Sequence, residues 1–169
     1  MLLELLIEEF KTEAENTRKV FNAITEDVLS YAPNDFNWNI AELASHIAEG
    51  FIWWRPTLDH DELDMSTYKY EKGDIFNIQN LRDKLEENIK DAQEVLEGFD
   101  EDKLFENWSM TMNGSTLMPP TPRIRVIRTY LMNHLYHHRG ELIAHLRANK
   151  KRVPGLYGPT YEENQGVGS

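Results

Sequence analysis

Hydrophobic residues recur at steps of three and four along four long segments of the chain, and polar residues fill the positions between them. This spacing places the hydrophobic side chains on one face of an α-helix. Four amphipathic helices without matching strands predict an all-α protein, a four-helix bundle, because each helix must bury its apolar face against the others. The predicted helices span residues 3–29, 39–55, 78–96 and 122–149.

Capping residues and prolines mark the ends of these helices. Asn39 and Glu42 form an N-capping signature at the start of the second helix. Pro56 disfavours helical geometry in the residue before it, so we expect the second helix to end there. Thr121 is the expected cap of the fourth helix, with Pro122 in its first position.

Between the third and fourth helices the pattern changes to a two-residue alternation. Trp108, Met110 and Met112 alternate with polar residues, and Asn113-Gly114 is a dipeptide typical of hairpin turns. We therefore expect a short extended hairpin in this connection. Apolar side chains on such a connection would be exposed, so we also expect a homodimer in which a second copy covers them.

The length of 169 residues fits one domain, which we place at residues 1–160, followed by a disordered tail at 161–169. The chain lacks cysteine, which excludes disulfides and catalysis by a protein thiolate, and makes a cytoplasmic location the default expectation. We expect neither a signal peptide nor a transmembrane helix, because a basic leader and a long apolar run are both missing from the sequence. The net charge of -11 opposes binding to nucleic acid or to anionic membranes.

Two histidines of the fourth helix are the first candidates for chemistry. His134 and His138 are four residues apart, so their Cβ atoms lie roughly 5–6 Å apart on one face. The same face carries Ile127, Tyr130 and Leu131, which points the pair toward the bundle interior. Such a pair can hold one metal ion. The alternative is that both are core histidines satisfied by hydrogen bonds.

A third histidine, His46, borders the apolar face of the second helix and could converge with this pair. Three neutral imidazoles leave coordination positions open, as in catalytic rather than structural metal sites. His137 competes with His138 for the role of ligand, because a register one residue different would exchange them. We expect His145 to be a packing residue and His60 to lie in a solvated loop.

Three stretches of the sequence resemble the DinB-like (DinB/YfiT-like) superfamily: WNIAELASHI at 38–47, HLYHHRGEL at 134–142 and VPGLYGP at 153–159. The resemblance covers nearly the whole chain and implies a four-helix bundle, often dimeric, with zinc or nickel as the usual metal. Members of the family are not DNA polymerases, and characterised relatives include transferases and isomerases of low-molecular-weight thiols. The family's metal ligands map onto His46, His134 and His138.

The chain departs from the family pattern after the arginine-glycine pair, where Glu141 replaces the usual glutamine. Glu141 could approach the metal, hold a histidine ligand or pair with Arg139. We favour holding a histidine, or a structural role, over metal ligation, because metal-bound imidazoles need hydrogen-bond partners of this kind. Arg139 is expected to pack or pair between helices. Gly140 costs about 1 kcal/mol relative to alanine in mid-helix, which predicts the close approach of another helix.

Two functions follow from these features. One is a metal-dependent transferase, similar to a thiol S-transferase, or a hydrolase that acts on a small molecule through an open metal position. The other is a non-catalytic metal-binding or dimerisation module. The sequence carries no serine-histidine-aspartate set, phosphate loop or paired-carboxylate motif, so any chemistry must come from the metal. Several aromatic residues could line a pocket or belong to the core: Trp38, Trp53, Trp54, Trp108 and Tyr136.

Overall fold

The computed structural model describes residues 1–165 and is a helical bundle with a small sheet at one side. Four long helical segments pack in pairs, with the first and second each contacting the third and fourth. This arrangement confirms the predicted four-helix bundle. The helices are α1 (Leu2–Asn22), α2 (Ile40–Gly50), α3 (Trp54–Asp59), α4 (Ile78–Glu97), α5 (Arg123–Val126), α6 (Asn133–Ala148) and α7 (Tyr161–Gln165).

The fourth long segment is continuous but not uniform. α5 and α6 are joined by a π-helical segment, Ile127–Met132, in which the backbone hydrogen bonds reach one residue further than in an α-helix. Ile127 and Met132 are five residues apart and both are buried, whereas an α-helical register would bring residues three or four apart to one face. The π segment immediately precedes His134, so it sets the rotation of α6 relative to α5.

The first helix ends at Asn22, earlier than the predicted residue 29. A 3-10 turn, Glu26–Val28, continues the apolar spacing of three, which is why the sequence pattern did not reveal the break. The carbonyl groups of Leu29 and Tyr31 accept hydrogen bonds from the first backbone amides of α2. These bonds satisfy donors that a helix N-terminus leaves free and attach this turn to α2.

The predicted second helix is divided in two, and its predicted end before Pro56 is wrong. α2 ends at Gly50 and α3 begins at Trp54, so Pro56 lies in the first turn of a new helix. A proline is tolerated there because its missing N–H would have no partner in the helix. At the other end, Asn39 and Glu42 form the predicted capping box, with both hydrogen bonds at 2.9 Å.

A three-stranded sheet contains the predicted hairpin. β1 (Glu62–Asp64) runs parallel to β2 (Asn107–Met112), and β2 pairs antiparallel with β3 (Ser115–Pro122). Asn113 and Gly114 form the turn with φ of 49° and 77°, the left-handed conformation that this dipeptide favours. The sequence did not predict β1, which lies in a segment that we expected to be a connection.

The hairpin also corrects the expected start of the fourth helix. Pro122 pairs with Asn107 and Thr121 pairs with Trp108, so both predicted cap residues belong to β3. The helix begins at Arg123, whose backbone amide donates to the carbonyl of Glu106. Local capping signals were outweighed by strand pairing with residues distant in sequence.

Trp108 and Met110 are buried within their own chain, where they form a small cluster with Val126. The Trp108 indole also donates to the carbonyl of Pro56 at 3.0 Å. The expectation that a second copy must cover these two residues was therefore wrong, because the hairpin folds back onto α3 and α5. Met112 is exposed, but it is a single side chain.

On the opposite side of the bundle, a buried ion pair joins α6 to α1. The Arg139 guanidinium contacts the Glu13 carboxylate and donates to the backbone carbonyl of Glu13 at 3.0 Å and to the Thr17 hydroxyl at 3.1 Å. The hydroxyl of Tyr157, in the segment after α6, donates to Glu13 at 2.6 Å. Arg139 thus pairs between helices, as the sequence indicated.

Gly140, by contrast, does not make the close helix contact that we predicted. A Cβ atom placed on Gly140 would meet nothing within 4 Å, and the residue is exposed. The neighbouring Arg139 faces α1, whereas Gly140 borders an open cleft between α6 and the segment that contains Tyr157. Helix packing therefore gives no reason for glycine at this position.

The chain beyond α6 differs in part from the disordered tail expected from residue 161. Residues Tyr161–Gln165 form α7, because Thr160 and Glu163 cap each other: the Glu163 carboxylate accepts from the Thr160 amide at 2.7 Å, and the Thr160 hydroxyl from the Glu163 amide at 3.2 Å. Residues 166–169 lie outside the described residues. Within the described part of the chain, none of the helices has both the length and the apolar character needed to cross a bilayer.

Replacing Glu13 with leucine is expected to lower the free energy of unfolding by about 3–5 kcal/mol, because it leaves the buried Arg139 charge without its partner. Urea unfolding followed by circular dichroism measures the change. Lys11→Met, on the same helix, removes the exposed pair with Glu97 and is the matched control, with a much smaller expected loss because exposed ion pairs add little stability. Equal losses in the two variants would contradict the structural role of the buried pair.

Candidate metal centre

Three histidines from two helices converge in the interior of the bundle. His46 is on α2, and His134 and His138 are one turn apart on α6. The Nε2 atom of His134 lies 3.0 Å from Nε2 of His46 and 2.9 Å from Nε2 of His138. All three side chains are partly buried, and their candidate ligand atoms lie within 4.8 Å of one another. We refer to these three residues as the histidine triad.

The remaining histidines do not join the triad. His137 is 65% exposed, which decides the competition with His138 in favour of His138. His145 packs edge-on against Tyr31, with ring centroids 6.0 Å apart, and His60 is exposed just after α3. Both positions agree with the sequence-based interpretation.

Burial favours the neutral form of the two histidines on α6. The pKa of His134 is lowered to about 4, chiefly by burial and also by the neighbouring His138 and His46. Burial also lowers the pKa of His138, although its hydrogen bond with Glu141 acts in the opposite direction. Neutral imidazole is the form that ligates metal ions, so these two histidines can bind a metal at pH 7 without losing protons.

Two carboxylates lie on the outer side of the triad, each three residues after one of its histidines. The Glu141 carboxylate lies 2.7 Å from Nδ1 of His138, a hydrogen bond that holds the proton on Nδ1 and turns the Nε2 lone pair toward the triad. Glu49 lies 3.9 Å from Nδ1 of His46, too far for a direct hydrogen bond but close enough for an electrostatic contact. Glu141 therefore holds a histidine, one of the roles that the sequence suggested.

Glu49 is the functional candidate that sequence reasoning missed. Burial acts to raise its pKa, but the nearby His46 and Tyr68 side chains lower it below its ordinary value, so the group is ionised. A signal for it was present in the sequence. The spacing of His46 and Glu49 is the same as that of His138 and Glu141, a His-x-x-Glu pattern that occurs once on each ligand-bearing helix.

Aromatic rings surround the imidazoles. Trp53 stacks on Tyr130 with centroids 5.3 Å apart and lies 5.2 Å from the His134 ring. The Trp53 indole donates to the hydroxyl of Tyr68 at 3.1 Å, and burial raises the pKa of Tyr130 to about 12, so Tyr130 stays protonated. Trp38, just before α2, contacts His46 at a centroid distance of 4.7 Å. These rings restrict the imidazoles to one orientation and exclude water from their sides.

The five aromatic residues named from the sequence divide by location. Trp53, Trp54 and Trp108 belong to the buried core, and Tyr136 is a partly buried residue that donates to Glu9 at 2.9 Å. Trp38 alone among the five is exposed, and it lies against the triad.

Two cavities adjoin the triad. One lies on the core side, lined by all three histidines and by apolar residues that include Phe51 and Leu131. Its volume is about 10 Å³, roughly the space that one water molecule needs. The other, of about 150 Å³, lies between His138 and the loop before α2. The second cavity is the larger space next to a candidate ligand.

The donor set fits a divalent metal ion. The Nε2 atoms of His46 and His138 lie 3.0 Å and 2.9 Å from Nε2 of His134, an arrangement that a shared cation would stabilise. Two nitrogens bonded to one zinc ion at about 2.0–2.1 Å are separated by roughly 3–3.4 Å, close to the observed distances. A second group, His137, His138 and Glu141, could also offer ligands, but it would need the Nδ1 atom of His138 that Glu141 already occupies.

Comparisons with known proteins agree with this architecture. The sequence model of the DinB family matches residues 1–167. An uncharacterised Bacillus subtilis protein, YrdA, is 24% identical over 173 residues, which cover 95% of this chain and 91% of that protein.

Two crystal structures share the fold. A DinB-like protein from Bacillus cereus superposes with a TM-score of 0.70 at 21% identity, over 89% of this chain and 94% of that chain. The DinB-like protein YjoA from Bacillus subtilis gives a TM-score of 0.70 at 18% identity, over 90% of this chain and 97% of that chain.

The metal-free protein is expected to lose stability as the pH falls from about 6.5 to about 4. An unfolded chain binds a proton on His134 below its ordinary pKa of about 6.5, whereas the folded protein binds that proton only near pH 4. Urea unfolding in the presence of a chelator measures how the free energy of unfolding changes with pH, and His134→Gln should reduce this change. The same pH dependence in the wild-type protein and in His134→Gln would show that His134 does not titrate as its burial requires.

Glu141→Gln is expected to keep the fold and to weaken metal binding about tenfold or more, because a neutral amide holds the His138 proton less strongly than a carboxylate. Competition with a chelator of known affinity measures the change. Glu42→Gln, which alters an exposed carboxylate on α2, is the control and should leave metal affinity unchanged. An unaltered affinity in Glu141→Gln would reduce Glu141 to a structural residue.

Proposed function

Because the chain belongs to the DinB family, we propose that it binds one divalent metal ion through His46, His134 and His138 and uses it to act on a small molecule. The reaction would be a transfer, similar to that of a thiol S-transferase, or a hydrolysis. The observation that carries the proposal is the convergence of three imidazole Nε2 atoms from two helices. Three protein ligands leave coordination positions for a substrate, which a closed four-ligand structural site would not.

When bound, a divalent ion would supply Lewis-acid chemistry and lower the pKa of a water or thiol group beside it. The protein's own residues would hold and orient the ligands. Glu141 fixes the tautomer of His138, and Glu49 places a negative charge behind His46. Trp53 and Tyr130 keep His134 from rotating and shield it from bulk water.

Zinc and nickel are the metals that we propose. Imidazole nitrogen suits both ions, and the site offers neither a thiolate, which would favour softer metals, nor the cluster of oxygen ligands that magnesium and calcium prefer. We also propose a cytoplasmic location. A homodimer stays a prediction from the family resemblance, without the support that Trp108 and Met110 were expected to give.

The alternative function is a non-catalytic metal-binding module. The small size of the core-side cavity favours it, since about 10 Å³ accommodates no substrate. The cavity of about 150 Å³ beside His138 favours the enzyme, because it gives a small molecule access to a ligand of the site. Transfer of a low-molecular-weight thiol to an electrophile by the metal-loaded protein would distinguish the two.

Replacing any one of His46, His134 or His138 with alanine is expected to remove most of the bound metal, since two imidazoles hold an ion far less tightly than three. Metal analysis of untagged protein after dialysis measures the metal content. The affinity for metal should be lost as the pH approaches 4, where His134 binds a proton. Exposed His137→Ala and His60→Ala are the controls and should bind metal fully.

Thiol transfer should be lost in the same three variants and retained in the two controls. Full metal content without any transfer or hydrolytic activity would favour the non-catalytic module. Metal retained in all three variants would overturn the proposed site itself.

A further inference from the structure

The cavity of about 150 Å³ lies beside the triad, between α6 and the loop that precedes α2. Its walls include the aromatic residues Phe36 and Trp38 from the loop, and His138, Glu141 and His145 from α6. It therefore contains one carboxylate and two imidazoles, and its walls contain no lysine or arginine. A ligand bound there would contact His138 directly.

Glu141 has a free oxygen facing this region. Its Oε2 atom lies 2.7 Å from Nδ1 of His138 and 3.7 Å from Nε2 of His137. Among residues 1–165, Glu141 makes no ion pair with a lysine or arginine, and its Oε1 atom accepts no hydrogen bond from the protein. The Glu141 side chain is 37% exposed, so the carboxylate is accessible to a cation from solution.

His145 also borders the cavity, but its Nδ1 atom is enclosed by the protein and is not open to a ligand there. Burial lowers the pKa of His145, with Glu141 acting in the opposite direction, so the ring adds no positive charge to the cavity.

The two aromatic rings of the loop are exposed without any packing reason. Phe36 is 97% exposed and Trp38 is 47% exposed, although both line the cavity. The Trp38 ring also lies 5.5 Å from the His138 ring. The face of an aromatic ring attracts cations, and aromatic rings combined with a carboxylate form a common recognition site for ammonium groups.

We propose that this cavity binds the ammonium group of the substrate, so that the substrate class is a small primary amine whose other end reaches the histidine triad. Glu141 would pair with the ammonium, and Trp38 and Phe36 would present their ring faces to it. The role as a substrate subsite rests on the proposed metal function, whereas ammonium binding itself does not.

The test compares n-butylammonium with 1-butanol, which has nearly the same shape but no charge, on the zinc-loaded protein. The readout is the ¹⁵N-indole resonance of Trp38, identified by its loss in Trp38→Phe. We expect n-butylammonium to shift this resonance saturably and to bind about tenfold more tightly than 1-butanol, since it gains an ion pair and a cation–π contact. Equal affinities, or no shift with n-butylammonium, would overturn the proposal.

Two variants distinguish binding in this cavity from general attraction of cations by the negatively charged protein. At full zinc occupancy, Glu141→Gln should abolish the preference for n-butylammonium, while Glu42→Gln, which removes an exposed carboxylate on α2 that does not line the cavity, should retain it. Both variants are checked for unchanged circular dichroism. A preference that survives in Glu141→Gln would mean that the net charge of -11, rather than this cavity, attracts the cation.

A second comparison relates the cavity to the metal site. With cobalt in the triad, cysteamine should change the cobalt absorption at lower concentration than 2-mercaptoethanol. The ratio of the two concentrations should be about tenfold larger in the wild-type protein than in cobalt-saturated Glu141→Gln, because the more acidic thiol of cysteamine acts equally in both proteins. An equal ratio in the two proteins would overturn the subsite role. If neither thiol changes the cobalt spectrum at full cobalt occupancy, the proposed metal function is wrong. In that case the n-butylammonium experiment alone decides whether the ammonium site exists.

Discussion

The site depends on one constraint: three imidazoles from two helices must converge, with Nε2 of His134 3.0 Å from Nε2 of His46 and 2.9 Å from Nε2 of His138. Burial lowers the pKa values of His134 and His138, which favours the neutral form of these two rings. The close packing of α2 brings His46 to them. Its buried side chains include Ala41, Ala44 and Ala48, whose small size allows the neighbouring helices to approach closely. The helices must therefore pack correctly before the site exists.

The rotation of α6 is determined from two sides. His138 faces α2, and the next residue, Arg139, faces α1, where it pairs with Glu13. Adjacent residues of a helix point about 100° apart, so one orientation of α6 satisfies both contacts. A small rotation would withdraw His138 from the triad and also break a buried ion pair. The stability of the fold and the geometry of the triad therefore depend on the same orientation of α6.

The two His-x-x-Glu pairs have the same spacing but different geometry. Glu141 bonds directly to His138, while Glu49 lies 3.9 Å from His46 and is also influenced by Tyr68. Glu49 lies within the ring of aromatic residues, whereas Glu141 borders a cavity and keeps one oxygen free. Sequence spacing alone predicts neither difference, because each depends on which helix or loop covers the carboxylate.

The sequence by itself determined the local features of this protein: the helix periodicity, the Asn113-Gly114 turn and the one-turn spacing of His134 and His138. Each of these features depends on residues within a few positions of one another. The tertiary structure alone decided that Pro122 belongs to a strand and that Trp108 is buried in its own chain. It also decided that His46 lies 3.0 Å from a residue 88 positions away. These outcomes depend on contacts between distant segments, whose energies outweigh local capping and periodicity signals.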